Sequence, residues 1–147
     1  MKAAYPVIFT RTGDEKDTYL IEIPDLKGTT AGYGIGNAVH MAKDYIGCRL
    51  YEMKDADFPK ATPLGKIDVN GGEFAQDGEC FSSVVEVDME AYRRMMSRRV
   101  VRCNVCLPGW LRDAAENSRI NLSQVFQNAL KTELGFRDYT DYRKSCQ

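Results

Sequence analysis

The residues best suited to redox or metal chemistry in this chain are its five cysteines, at positions 48, 80, 103, 106 and 146. Cys103 and Cys106 have the C-x-x-C spacing of a redox pair or of half a zinc site. A zinc site needs a second pair of ligands, and the sequence offers one histidine, His40, and no other closely spaced cysteines. Both cysteines lie in a segment with strand-like alternation, where residues three apart point to opposite faces. We therefore predict that the two cysteines are structural residues of a strand, with no metal site and no cofactor.

A second chemistry to consider is metal-dependent hydrolysis by acidic side chains. A nuclease of this kind needs several carboxylates that converge on metal ions. The candidate aspartates all lie outside the central parts of the predicted strands; they are Asp14, Asp17, Asp25, Asp44 and Asp68. The sequence therefore favours a binding protein over an enzyme.

The net charge of −1 conceals two parts of opposite sign. Residues 1–90 contain 9 Lys and Arg against 16 Asp and Glu, a net charge of −7. Residues 91–147 contain 11 Lys and Arg against 5 Asp and Glu, a net charge of +6. This asymmetry predicts an acidic module followed by a basic one that suits an anionic partner, with chance clustering of surface charges as the alternative.

The hydrophobic segments are short. No apolar stretch approaches the roughly 20 residues that a membrane-spanning helix needs. The apolar run near the N-terminus reaches Arg11 and Asp14 too early for a signal peptide. We therefore expect a cytoplasmic protein.

The spacing of apolar residues in the first 88 positions predicts the order β-β-β-α-β. Strand-like runs occur at 5–9, 19–23 and, more weakly, 29–31, and another follows at 81–88. Between them, apolar residues recur at helical spacing from position 37; they are Ala38, Met41, Ala42, Tyr45, Ile46, Leu50 and Met53. A sheet covered by one helix is a two-layer α+β module.

After a basic connector at 92–99, the pattern predicts one strand and two helices within residues 98–135. Apolar residues alternate with polar ones from Val101 to Leu107, Pro108 suits a helix start, and Asn121 suits the cap of a second helix that Gly135 ends. About 38 residues are too few for an independent core. Because a lone strand leaves two open edges, we expect it to pair with a second copy, giving a ribbon backed by four helices.

The segment VRCNVCLPGWLRDAAENSRINLSQVFQNAL, residues 101–130, resembles the ribbon-helix-helix domain of Arc and MetJ. The resemblance implies that Arg102, Asn104 and Cys106 read base edges. It further implies phosphate contacts from Arg98, Arg99 and the backbone N–H groups of Leu122 and Ser123. The apolar residues should form the core of a dimer, whether or not that dimer binds DNA; they are Val101, Cys103, Val105, Leu107, Trp110, Leu111, Val125, Phe126 and Leu130.

The N-terminal part resembles the HicB antitoxins of type II toxin–antitoxin systems. The likeness rests on the strand start Tyr5-Pro6-Val7-Ile8, on Pro24-Asp25-Leu26-Lys27-Gly28, and on Thr29-Thr30-Ala31-Gly32 before an amphipathic helix. It implies a partial RNase H-like fold for residues 1–90.

The resemblance also implies a function and its partners. A HicB-type antitoxin binds and inhibits a HicA-like toxin, a small basic ribonuclease that cleaves mRNA, and represses its own operon by binding operator DNA as a dimer or a higher-order oligomer. On this basis we expect toxin contacts from Asp25, Leu26, Gly28 and Thr30. The alternative is a ligand-sensing ribbon-helix-helix repressor, with a small effector in place of the toxin.

Overall fold

The computed structural model describes residues 1–97 and 99–136 of the chain. The chain divides into two compact units, unit 1 over Met1–Ser97 and unit 2 over Arg98–Gln147. Within the described residues, the helices fall short of the length and apolar character that crossing a bilayer requires.

Unit 1 is an antiparallel four-stranded sheet with helices. Its elements are β1 (Lys2–Arg11), β2 (Thr18–Ile23), β3 (Gly28–Tyr33), α1 (Ile35–Leu50), β4 (Glu79–Asp88) and α2 (Met89–Met96). The strand order is β3-β2-β1-β4. The predicted α+β class and the order β-β-β-α-β are confirmed.

Strand β1 is central and is buried on both faces. Its odd-numbered residues from Ala3 to Phe9 belong to the main core. On the opposite face Ile8 and Thr10 are also buried. The connection between α1 and β4 covers this face, since a Cβ on Gly72 would lie 3.4 Å from Ile8 Cδ1. The Glu73 N–H, which donates to Glu22 Oε2 over 2.8 Å, fixes the connection there.

Helix α1 packs on the sheet through small and aliphatic residues four positions apart. Ala38, Ala42, Ile46 and Leu50 are fully buried, as the helical spacing predicted. Small residues allow the helix to lie close to the sheet, and one close approach is at Gly32 of β3. A Cβ on Gly32 would lie 2.8 Å from Ala38 Cα and 2.9 Å from Ala38 N.

Gly32→Ala should therefore destabilise unit 1. The added methyl would meet helix backbone, which cannot rotate away as a side chain can, so we expect a loss of about 1–3 kcal/mol. Gly36→Ala is the matched control, since Gly36 lies in α1 with no atom within 4 Å of the new Cβ. The control should gain up to about 1 kcal/mol from helix propensity. Urea denaturation of both variants checks this, and equal stabilities would contradict the close approach.

Helix α2 corrects one prediction, because the sequence pattern suggested only a basic connector from residue 92. The Asp88 side chain caps the helix by accepting a hydrogen bond from Ala91 N over 3.1 Å. Met89 and Tyr92 of this helix are buried. Arg93 forms a 2.9 Å ion pair with Asp55 of the long connection. Thus one of the arginines that made the segment resemble a linker joins helix α2 to the long connection between α1 and β4.

Unit 2 contains helices α3 (Gly109–Asn117) and α4 (Leu122–Glu133). The predicted cap is confirmed, since Asn121 Oδ1 accepts from Gln124 N over 3.1 Å. Gly135 follows α4 with a positive φ of 73°, the conformation that favours glycine after a helix. Residues 99–108 are in neither helix nor strand. The strand predicted at 101–107 is therefore not formed in the single chain, since a strand needs a hydrogen-bonded neighbour.

Candidate DNA-binding and partner-binding surfaces

The large apolar residues in the described part of unit 2 are exposed in the single chain. Their exposed fractions run from 36% for Phe126 to 92% for Val100, and neither α3 nor α4 contains a buried residue. The exposed set includes every residue predicted for the dimer core: Val101, Cys103, Val105, Leu107, Trp110, Leu111, Val125, Phe126 and Leu130. Monomeric soluble proteins rarely expose contiguous apolar surface of this kind. Burial of these residues therefore requires a surface from outside the described part of unit 2.

The three predicted base readers, Arg102, Asn104 and Cys106, are also exposed. They alternate with the apolar residues of the same segment, so in an extended chain the two sets lie on opposite sides. One side can then be buried while the other meets a ligand.

The predicted phosphate contacts are placed only in part. Arg99 is exposed, and Arg98 lies outside the described residues. Leu122 and Ser123 are the first two residues of α4, where N–H groups have no acceptor within the helix. Because the Asn121 cap engages the N–H of Gln124, these two amides stay at the positive end of the helix dipole, which suits an anion.

The four residues expected to contact a toxin have structural roles in unit 1. Asp25 accepts hydrogen bonds from Thr62 N and Thr62 Oγ1, over 2.9 and 2.6 Å. Leu26 is in the core with 4% exposure, so its expected contact role is wrong. A Cβ on Gly28 would overlap the ring of Tyr45, which covers it. Thr30 is half-buried.

The other residues of β3 and the start of α1 form an exposed surface that the sequence did not single out. Thr29, Ala31 and Tyr33 are exposed along β3, and Ile35 follows. We name these four residues the β3 edge surface, since β3 lies at one edge of the sheet. Tyr33 is 63% exposed. An edge strand also presents backbone groups that can pair with another chain.

An ionised carboxylate is bound to the strand partner of Tyr33. Tyr33 pairs with Thr18 of β2, and Asp14 accepts hydrogen bonds from Thr18 N and Oγ1 over 2.8 and 2.7 Å. These hydrogen bonds stabilise the charged carboxylate and lower the pKa of Asp14. Asp14 is therefore ionised at neutral pH and is held at the β2 residue that pairs with the exposed tyrosine.

Within residues 1–97 and 99–136, no three His, Cys, Asp or Glu side chains are grouped so that they could hold a metal ion. Two of the aspartates considered for metal-dependent hydrolysis make contacts that stabilise the fold. Asp44 accepts from the Tyr92 hydroxyl over 3.2 Å, and Asp17 forms a 2.8 Å ion pair with Arg11.

Comparison with known proteins gives similarity at the level of structure. No protein-family model and no curated protein matches the chain. A chain of a toxin–antitoxin complex from Streptococcus pneumoniae is similar over 90% of this chain and 99% of its own length, with 23% identity and a TM-score of 0.54. The antitoxin HicB of Burkholderia pseudomallei is similar over 90% of this chain and 96% of its own length, with 17% identity and a TM-score of 0.42. The protein thus shares the α+β fold of the S. pneumoniae chain.

Proposed function

We propose that this protein is a HicB-type antitoxin. Unit 1 binds and inhibits a HicA-like toxin, and unit 2 binds operator DNA as a dimer and represses the operon. The single observation that carries the proposal is the organisation of unit 2, whose large apolar residues, among those described, are all exposed, while Arg102 and Asn104 alternate with the apolar residues of 101–107. The sequence resemblances and the fold shared with a chain of a toxin–antitoxin complex support it.

In the proposed dimer, the segments 101–107 of two chains pair as an antiparallel ribbon. Pairing supplies the backbone hydrogen bonds that the single chain lacks, and it buries the apolar row against α3 and α4 of both chains. A two-stranded ribbon fits the major groove of DNA. Arg102 can bind guanine through two hydrogen bonds and Asn104 can bind adenine in the same way, whereas Cys106 offers only a small apolar contact.

The same docking brings phosphate-binding groups to the DNA backbone. Arg98 and Arg99 precede the ribbon, and the amides of Leu122 and Ser123 begin α4. These contacts hold the ribbon in the groove without reading sequence. Their positive charge makes binding depend steeply on salt, since each neutralised phosphate releases counterions.

In the proposed toxin complex, unit 1 covers the RNA-binding surface of the toxin. A ribonuclease must be cationic where it holds RNA, and residues 1–90 of this chain carry a net charge of −7. Opposite charge speeds encounter and orients the partner. The toxin contacts in this proposal are the exposed residues of the β3 edge surface, together with Asp14, which is bound to the β2 partner of Tyr33.

Tyr33→Ala should weaken toxin binding about 30-fold or more. Exposed tyrosines at the centre of an interface commonly cost 2 kcal/mol or more when truncated. Isothermal titration calorimetry with the purified toxin measures the effect. Leu64→Ala is the control, because Leu64 is 39% exposed but lies outside the β3 edge surface. Equal toxin affinities of the two variants would show that the toxin does not bind through Tyr33.

The proposed function is tested by co-expression with the product of the adjoining open reading frame. We expect a stable complex with a small basic protein, and a gel shift of the DNA upstream of the two genes that weakens as salt rises. The absence of both would contradict the proposal. A gel shift without any protein complex would instead support the ligand-sensing repressor.

A further inference from the structure

The cysteine pair of unit 2 has a geometry that conflicts with the proposed ribbon. Cys103 and Cys106 are exposed in the single chain, within a segment that has no turn. In an extended strand, Cα atoms three residues apart are separated by about 10 Å. A disulfide usually requires a Cα–Cα distance of about 4.4–6.8 Å. The two sulfur atoms therefore cannot bond while the segment is a strand.

A turn would bring the two cysteines together. A β-turn places the first and fourth Cα atoms within about 7 Å, and Asn104 is a residue type that turns favour. Such a turn interrupts the alternation from Val101 to Leu107 in its middle. It displaces Cys103 from the apolar row and moves Asn104 from the row of base readers.

We propose that Cys103 and Cys106 form a redox switch of unit 2, in which their intrachain disulfide and the paired ribbon exclude each other. The proposal rests on the proposed function, because it requires residues 101–107 to pair as a strand. The reduced chain dimerises and binds DNA. In the oxidised chain residues 103–106 form a turn, unit 2 does not pair with a second copy, and the operator is released.

Forming the disulfide needs an oxidant, and we assign this role to a small-molecule disulfide such as glutathione disulfide. The thiolate of one cysteine attacks a sulfur of glutathione disulfide, and one glutathione thiolate leaves. The thiolate of the second cysteine attacks the protein sulfur of this mixed disulfide, and the second glutathione leaves. The two cysteines together lose two electrons and two protons, and glutathione disulfide gains them as two thiols.

The ribbon protects the pair against this reaction. In the proposed dimer Cys103 lies in the buried apolar row, so that attack requires the ribbon to separate first. The dissociated chain has both thiols exposed, and oxidation then prevents re-pairing. The switch therefore acts on free chains and removes them from the dimer equilibrium.

The pairing geometry also argues against a disulfide between two chains. All four apolar residues of the ribbon face apolar residues only when the two-fold axis passes through Asn104. Cys103 then lies opposite Val105 of the second copy, and the two Cys103 residues are diagonal neighbours about 7–8 Å apart. This separation exceeds what a disulfide spans.

The test uses the full chain with Cys48, Cys80 and Cys146 changed to serine, so that only the pair remains. The protein is equilibrated with reduced and oxidised glutathione at several ratios. Peptide mapping locates the disulfide, sedimentation velocity gives the oligomer, and gel shifts give operator affinity. We expect the Cys103–Cys106 disulfide, loss of the dimer and a fall of about a thousand-fold or more in operator affinity, to the non-specific level. Dithiothreitol should restore all three.

The control carries Cys103→Ser and Cys106→Ser in addition. Its dimerisation and operator affinity, whatever their level, should not change with the glutathione ratio. Equal dimerisation and DNA binding of the reduced and the disulfide-containing protein would overturn the switch. So would a mapped disulfide between chains, or none at all. If the reduced protein itself neither dimerises nor binds DNA, the proposed function has failed instead.

Discussion

Replacing Phe126 with aspartate should leave the chain unable to dimerise through unit 2 and abolish specific operator binding. Phe126 lies on the apolar side of α4, and its side chain becomes buried in the proposed dimer. An unpaired carboxylate at that position costs several kcal/mol, and the two-fold axis places one in each chain. Sedimentation velocity should show loss of the dimer at concentrations where the unmodified chain pairs.

Gln127→Asp is the matched control, since it adds the same charge to the next residue of α4, outside the predicted apolar row. This variant should still dimerise. The thermal unfolding of unit 1 should be unchanged in both variants, because the core of unit 1 is made of residues from its own strands and helices. A Phe126→Asp protein that dimerises like the control would contradict the proposed ribbon-helix-helix dimer.

Arg102→Ala and Asn104→Ala should each remove most of the preference for the operator. A good bidentate contact to a base contributes about 1–3 kcal/mol, and each substitution removes one contact from both chains. The expected loss is therefore about 2–6 kcal/mol per dimer, at least 30-fold in affinity. Gel shifts on operator and scrambled DNA measure it.

Comparison with Arg99→Ala separates base recognition from phosphate binding. Arg99 is expected at a phosphate, so its loss should weaken binding to operator and scrambled DNA alike and reduce the salt dependence by about one phosphate contact per chain. Operator preference that survives both Arg102→Ala and Asn104→Ala would show that other residues read the bases.

Much of unit 1 is predictable from sequence because its elements alternate at clear periods. The residues of α1 that face the sheet recur every four positions, and the strand β2 alternates between buried and half-buried residues as its sequence does. Helix α2 was not predicted, since its arginines resemble a linker and its polar contacts are with Asp44 and Asp55 of distant segments. The cover over Ile8 was not predicted either, because it comes from an irregular connection.

The candidate sites, too, were only partly predictable from the sequence. The residues of the DNA-binding segment could be chosen from alternation and family resemblance, but the strand itself depends on hydrogen bonds that a second chain would supply. In unit 1, a short motif identified the region of β3 but not the side of it that faces solvent. Leu26 was therefore expected to contact a partner although it is buried, while the exposed Tyr33 and Ile35 were not singled out.

An RNA-cleavage assay measures whether this protein inhibits a toxin. The product of the adjoining open reading frame is purified and given an RNA substrate, and the full chain is added in increasing amounts. Cleavage should fall in proportion to the added chain and stop near a stoichiometric ratio. RNA cleavage that continues at its full rate in an excess of the chain would contradict it.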